Sequence, residues 1–386
     1  MDLKQIFAGY PNFIESTLFN RLFSHREVTA LLGKLPSAFK VEEIGRSEEN
    51  RSIHCVKFGN GPCKVMLWSQ MHGHEPTGTM ALFDLVNFLQ HPDHSPVSNK
   101  ISEACTLFMI PMVNPDGAEI HERRNSQQID INRDFLAEHT AEGRLLKKTR
   151  AEIKPAFGFN LHDQITLWSI NKTYLPATLS YLAPAIDNEL SIDDTREKAM
   201  KVIADMFDGL TDFLPGQIGL FDDTFEPRAF GDNFQISGTS TILIEAGGLG
   251  EDPEKQEIRK YFFMSMLAGL NSISKGTYKQ QTTEHYFSIP ANDKKLFHLI
   301  IHNVNIDGLN CSLSLNYDEV FDPGQRTLNK VWTVHDKGDL RGWNAYETYD
   351  NGPYNATGVV KIDMPANMEI FKDGKVILGF IEGVRR

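Results

Sequence analysis

Cysteine is scarce in this chain. Four residues (Cys55, Cys63, Cys105 and Cys311) occur in 386, and none forms a CxxC pair. Three of them sit in strand-like runs, which fits buried free thiols in a reducing compartment; a Cys55–Cys63 bridge is expected only in an exported chain. Positive charge is also short. Lys and Arg total 39 against 51 Asp and Glu, a net charge of -12. Basic pieces are brief, such as Lys147-Lys148-Thr149-Arg150, which reads as the end of a solvated helix. That argues against the basic stripe of a nucleic-acid binder, so no nucleic-acid partner is expected. No apolar run reaches membrane-spanning length, so no membrane partner is expected either. Asp2, Lys4, Glu15 and Arg21 interrupt the first 25 residues and leave no signal-peptide core; the expectation is a cytoplasmic protein. Internal repeats and low-complexity tracts are absent.

What the chain does have is apolar bulk. Hydrophobic residues make up 41%, with 25 Phe, enough to bury a substantial core without disulfides or structural metals. The length suits one large domain plus a smaller one. Periodicity predicts helices over residues 19–35, 77–89, 136–152, 196–214 and 253–274. Buried strands are predicted at Val65–Trp68, Cys105–Pro111, Phe157–Leu161 and Ser240–Ile244, and Val41–Gly59 alternates like a hairpin. Strands alternating with helices imply an α/β fold: a mixed, mostly parallel sheet flanked by helices. The polar run Lys275–His285 reads as a linker. Beyond it, short strands broken by Gly, Asp, Asn and Pro (296–304, 311–316, 331–334, 359–362 and 376–380) predict a small β-rich domain. The expected domains are 1–280 and 281–386.

Four predicted strands end in polar residues. His72 and Glu75 follow VMLWS, Asn114-Pro115-Asp116-Gly117 follows FMIPMV, His162 follows FGFNL, and Glu245 closes STILI. In open parallel α/β sheets, ligands bind at the carboxyl edge of the strands, so these segments converge there. A catalytic zinc keeps three protein ligands and one open position, and two His plus one Glu is an established set. His72 and Glu75, three apart in a strand-to-helix turn, can reach one ion, and His162 from a neighbouring strand would complete it. An HxxE pair alone recurs by chance, so the weight lies in the combination. Asn132-Arg133 offers a planar clamp for a carboxylate. Asp130 could accept from a ligating histidine. Glu245, beside an apolar strand, is placed to have a raised pKa and to serve as a general base.

The pieces IGRSEENRSI (44–53), MHGHEPTG (71–78), NPDG (114–117), RRNSQQIDINRDF (123–135), NLHDQ (160–164) and LIEAGG (243–248) occur in an order that resembles the zinc carboxypeptidases, the carboxypeptidase A-like metallopeptidases, over roughly residues 15–275. The resemblance implies one Zn2+ on His72, Glu75 and His162, with Glu245 as general base and acid. It implies that Asn132 and Arg133 hold the substrate's terminal carboxylate, that Arg123 stabilises the oxyanion, and that Asp130 backs His72. The substrate would be a peptide, murein-type peptides included, with a free carboxylate. The chain departs from the family pattern at Gln128, where Gly is usual, and at Asp134, where Asn is frequent. The loop Phe221–Gly238 also lacks the family's mobile Tyr, and Arg228 there is a candidate substrate contact.

Three competing readings remain. A zinc deacylase of N-acyl amino acids, similar to the succinylglutamate desuccinylase and aspartoacylase group, shares the HxxE…H set, but NPDG and the extended DxNRDF stretch favour the carboxypeptidases. An amidohydrolase barrel using His72 and His74 would need more histidines at later strand ends, and after His162 the next is His285. A catalytically dead binding module should have lost a ligand or Glu245, and all are present.

Overall fold

Strands that are apolar at nearly every position need cover on both faces. Eight strands form one sheet: β1 (Lys40–Arg46), β2 (Ser52–Phe58), β3 (Cys63–Ser69), β4 (Cys105–Ile110), β5 (Phe157–Asp163), β6 (Leu179–Leu182), β7 (Ile218–Leu220) and β8 (Ser240–Ala246), in the spatial order β1-β2-β4-β3-β5-β8-β6-β7. The computed structural model describes residues 1–386. Side chains alternate across the sheet with period two. Val65 and Leu67 join a core with the helices Thr77–Gln90, Asp194–Leu210 and Gln256–Lys275. Met66 and Trp68 join a second core with Leu146 of the helix Ala141–Ile153 and with Phe230 and Phe234 of the helix Phe230–Ile236. The architecture is therefore α/β, with helices on both faces of a mixed sheet.

The four central strands β4, β3, β5 and β8 run parallel, which puts their carboxyl ends along one edge. The β1–β2 hairpin is antiparallel and joins β4 antiparallel; β6 is antiparallel to β8 and parallel to β7. Helix starts are set by caps rather than by the apolar pattern alone. The helix predicted from residue 19 begins at His25, where Ser24 and Glu27 form a capping box. The one predicted from residue 136 begins at Ala141, where the Thr140 side chain accepts from the Gly143 N–H.

Contacts divide the chain into two units: residues 1–166 with 177–292, and residues 167–176 with 293–386. The sequence placed this boundary at 280/281, within the polar run Lys275–His285 read as a linker. Instead, Gly276 at φ +71 ends the long helix, a 3-10 turn spans Thr277–Gln280, and Thr282 caps a further helix, Thr283–Ser288. Tyr286 of that helix is buried, and its hydroxyl accepts from the Ala183 N–H at 3.2 Å. A polar composition concealed one anchoring aromatic.

In the first unit, the N-terminal segment is fastened by a charge. Asp84 and Arg259 are both fully buried, with Arg259 Nε donating to Asp84 Oδ2 at 2.7 Å. The Tyr10 hydroxyl and the Glu15 N–H also donate to Asp84, at 2.6 and 2.7 Å, and Arg259 donates to the carbonyls of Glu15 and Leu18. Removing one partner of such a pair strands the other charge in the interior, at a cost of about 3–5 kcal/mol. Arg259→Met is therefore expected to lower unfolding stability by that amount in chemical denaturation, far more than a surface Arg→Met control.

The second unit is built on an eight-stranded sheet. Leu296–Ile306, Leu309–Asp322 and Thr327–Gly338 form an antiparallel meander. Leu296–Ile306 also pairs in parallel with Asn344–Tyr349 and Tyr354–Val359, and the sheet continues through Asn367–Lys372, Lys375–Ile381 and Val384–Arg385. The strand predicted at 359–362 lies instead at Tyr354–Val359, because the buried side chain there is Tyr354 while Val359 is exposed. Leu299, Ile301, Leu313, Leu315, Trp332, Val334, Met368, Ile370 and Phe380 make its core.

His298 stacks on Tyr317 with ring centroids 3.7 Å apart, and its Nδ1 accepts from the Tyr317 N–H at 3.1 Å. Burial pushes its pKa down from 6.5 to about 3. Between those values the unfolded chain binds a proton that the folded chain refuses, so stability must fall as pH drops. Acid titration of unfolding stability from pH 6.5 to 3 is expected to show this loss, and the slope should shrink in His298→Asn.

Candidate active site

Strand β3 ends at Ser69 and the helix Thr77–Gln90 begins eight residues later; SQMHGHEPTG is the turn between them. Its glycine is required by close approach. A Cβ on Gly73 would lie 2.1 Å from the carbonyl carbon of Gly117, so the HGHE and NPDG turns pack backbone on backbone. Asn114 caps the short helix Pro115–Glu119, accepting from the Gly117 N–H at 2.9 Å.

The turn buries His72 and Glu75, and β5 delivers His162 beside them. Glu75 Oε1 lies 2.7 Å from His72 Nδ1, and Glu75 Oε2 lies 2.7 Å from His162 Nδ1. Donor atoms of the three residues all fall within 4.8 Å of one another. Burial pushes the Glu75 carboxyl up, but the two imidazoles outweigh it and hold it well below the usual range. His162 is lowered by burial, whereas His72 is raised because Glu75 and Asp130 overcome its burial. His162 Nε2 is buried without a hydrogen-bond partner in the protein. Two imidazoles and a carboxylate, buried with donor atoms within 4.8 Å of one another, are a donor set that fits Zn2+. His74 stands outside this cluster. Its ring packs edge-on against His72 and His121.

The loop 121–134 wraps the same edge. Asp130 Oδ1 lies 3.1 Å from His72 Nε2, and Arg123 Nε donates to Asp130 Oδ2 at 3.0 Å. Arg123 Nη1 lies 3.4 Å from Glu75 Oε1, so its guanidinium borders the donor cluster while remaining 40% exposed. Buried acids hold the loop in place. Asp116 accepts from Ser47 Oγ (2.7 Å), the Glu49 N–H (2.9 Å) and Ser126 Oγ (3.3 Å), and pairs with Arg51 at 2.6 Å. Asn125 Nδ2 donates to buried Glu142, and Asp134 accepts from the N–H groups of His139 and Thr140. Both departures from the family pattern thus acquire a setting: Asp134 caps the turn before the helix Ala141–Ile153, and Gln128 sits at φ +61, where glycine is favoured.

Asn132 and Arg133 occupy a 3-10 turn directly after Asp130. Asn132 Oδ1 accepts from the Phe230 N–H at 3.0 Å. Arg133 Nη1 donates to the Asn132 carbonyl at 2.8 Å, and its Nε lies 3.1 Å from Glu226 Oε2. Glu245 comes from β8 in register with His162. Its Oε2 is buried without a hydrogen-bond partner in the protein, and burial, followed by the negative charges of Glu75 and Asp163, raises its pKa well above the usual range.

Sequence reasoning missed Asp163 and Lys255. Asp163 follows His162, its N–H donates to Glu75 Oε2 at 3.2 Å, and its Oδ2 accepts from Thr77 Oγ1 at 2.6 Å. Lys255 Nζ reaches the same Oδ2 at 3.1 Å and the Ala246 carbonyl at 3.3 Å. Asp163 and Ala246 are register partners, so Lys255 fastens the ends of the two strands that carry His162 and Glu245. Its backbone is left-handed, φ +52, just before the helix Gln256–Lys275. A lysine in a PEKQE loop carries no sequence signal of burial. Lys255→Met should cost about 3–5 kcal/mol by leaving Asp163 charged and unpaired. The double variant Lys255→Met/Asp163→Asn should recover most of that loss, as read by denaturant titration.

The zinc carboxypeptidase family model matches residues 25–160. Carboxypeptidase SOL1 of Arabidopsis thaliana is 38% identical over 103 residues, 25% of this chain and 21% of that protein. The catalytic chain of human carboxypeptidase N is 24% identical over 131 residues, 28% and 29% of the two chains. The present chain therefore spans less than a third of the length of either relative. Among solved structures, a metallo-carboxypeptidase from Burkholderia cenocepacia superposes with a TM-score of 0.53 at 17% identity, covering 66% of this chain and 70% of that one. Carboxypeptidase A from Helicoverpa armigera gives 0.52 at 15% identity, covering 71% and 80%. No helix of the protein is long and apolar enough to cross a membrane. Taken with the helix-flanked mixed sheet and the His72–Glu75–His162 cluster at its carboxyl edge, these matches make residues 25–160 similar to the zinc carboxypeptidase family and the fold similar to that of solved metallo-carboxypeptidases.

Proposed function

We propose that the protein hydrolyses an amide bond adjacent to a free carboxylate, as a zinc metallocarboxypeptidase acting on peptides. One observation carries the reading: a buried two-histidine, one-carboxylate donor set shares a sheet edge with a second buried carboxylate, Glu245, whose Oε2 has no hydrogen-bond partner in the protein. His72, Glu75 and His162 would hold a single Zn2+, which supplies Lewis acidity and brings the acidity of a water into the neutral range.

The rest of the work falls to the chain. Glu245 accepts the water's proton and returns it to the leaving amine nitrogen; its raised proton affinity suits both halves of that transfer. Arg123 donates to the scissile carbonyl oxygen as negative charge develops there. Asn132 and Arg133 hold the substrate's terminal carboxylate, which sets the register of the scissile bond. Asp130 fixes the orientation of the His72 ring through Nε2.

Glu245→Gln tests the assignment. Zinc content, measured by elemental analysis, is expected to stay at one ion per chain while turnover falls by about 10²–10⁴-fold. His162→Ala should instead lose the zinc. Retained turnover in Glu245→Gln would sink the mechanism. A panel of C-terminally varied peptides, γ-D-glutamyl peptides and N-acyl amino acids then assigns the substrate, with hydrolysis of the peptides expected.

A further inference from the structure

The loop between β7 and the helix Phe230–Ile236 carries a carboxylate to the residues proposed to bind one. Glu226 is held firmly in place. Its N–H donates to Asp232 Oδ1 at 3.0 Å, and its carbonyl accepts from the Ala229 N–H at 2.9 Å. Its side chain accepts two parallel hydrogen bonds from Arg228, Nε to Oε1 at 2.8 Å and Nη2 to Oε2 at 2.7 Å. Oε2 also faces Arg133 Nε at 3.1 Å. Asn132 is tied to the same junction through the Phe230 N–H.

We propose that Glu226 is a built-in competitor for the substrate's terminal carboxylate, and that Arg228 sets the strength of that competition. The inference rests on the reading of Asn132 and Arg133 as the carboxylate clamp. A guanidinium recognises a carboxylate through a two-pronged edge. On Arg133, Nε is already engaged by Glu226, and Nη1 is engaged by the Asn132 carbonyl. An incoming carboxylate must therefore share Arg133 with Glu226, as two like charges on one cation, or displace it. Arg228 draws on the same Glu226 carboxylate from the other side and lessens its hold on Arg133. Arg133, Arg228 and Glu226 together carry one net positive charge.

Three variants separate this arrangement from a direct substrate contact by Arg228. KM is measured for a peptide with a free C-terminus, and the dissociation constant of the product amino acid is measured by calorimetry on metal-free protein. Glu226→Gln is expected to lower both by about three- to fivefold, the scale of a partly exposed ion pair, with the change in KM rather than kcat. Arg228→Ala should raise both by a similar factor. In the Glu226→Gln background, Arg228→Ala should have no further effect. Unchanged or raised constants in Glu226→Gln overturn the proposal, as does an Arg228→Ala effect that persists without Glu226. Arg133→Met serves as the reference. If it weakens binding while Glu226→Gln changes nothing, the competitor falls and the clamp stands; if it has no effect, both fall.

Discussion

A single buried carboxylate, Glu75, shared between the imidazoles of His72 and His162, is the interaction on which the rest of the site is arranged. A carboxylate stripped of water is stable only when positive or hydrogen-bonding partners surround it. Each partner of Glu75 is supported in turn. His72 leans on Asp130, Asp130 on Arg123, and the Asp163 N–H donates directly to Glu75. Asp163 is balanced by Lys255, which also takes the Ala246 carbonyl next to Glu245. A continuous run of hydrogen bonds and ion pairs thus leads from the loop 121–134, across the cluster, to β8.

The same logic explains why so many conspicuous motif residues touch no part of the cluster. Asp116 of NPDG gathers Ser47, the Glu49 backbone, Arg51 and Ser126, joining the first hairpin to the loop that presents Arg123 and Asp130. Asn125, Glu142, Asp134 and Thr140 secure the other end of that loop. The motifs are thus two systems in one: a small set placed to do chemistry, and a larger buried polar scaffold that fixes its position. Such scaffolds are stable only when nearly every group is satisfied. At the cluster, buried atoms of His162, Glu245, Asp163 and His74 nonetheless lack a hydrogen-bond partner in the protein.

Legibility in the sequence followed the range of the forces involved. The four buried strands were readable because a strand covered on both faces must be continuously apolar, and RSEENRS, HGHE, NPDG and DINRD were readable because turns and caps are local. Lys255, Tyr286 and Glu226 were not. A lysine in a charged loop, a tyrosine in a Thr/Gln-rich run and a glutamate in an acidic loop look solvated until the fold assigns them partners. Composition and contacts also divide the chain at different places. Composition marks where polarity changes, whereas the limit of a unit is set by which side chains it buries, here Tyr286 on one side and the segment 167–176 on the other.

By itself, then, the sequence determined the fold class, the gathering of polar residues at the carboxyl ends of parallel strands, and the spacing of His72 with Glu75. Those follow from hydrophobic periodicity and from contacts only a few residues apart. Only the tertiary structure decided that His162 meets Glu75 across 87 residues, that Glu245 lies in register with His162, and that Arg133 already holds a carboxylate of its own chain. Strand register and loop closure are collective outcomes of packing, and no local pattern encodes them.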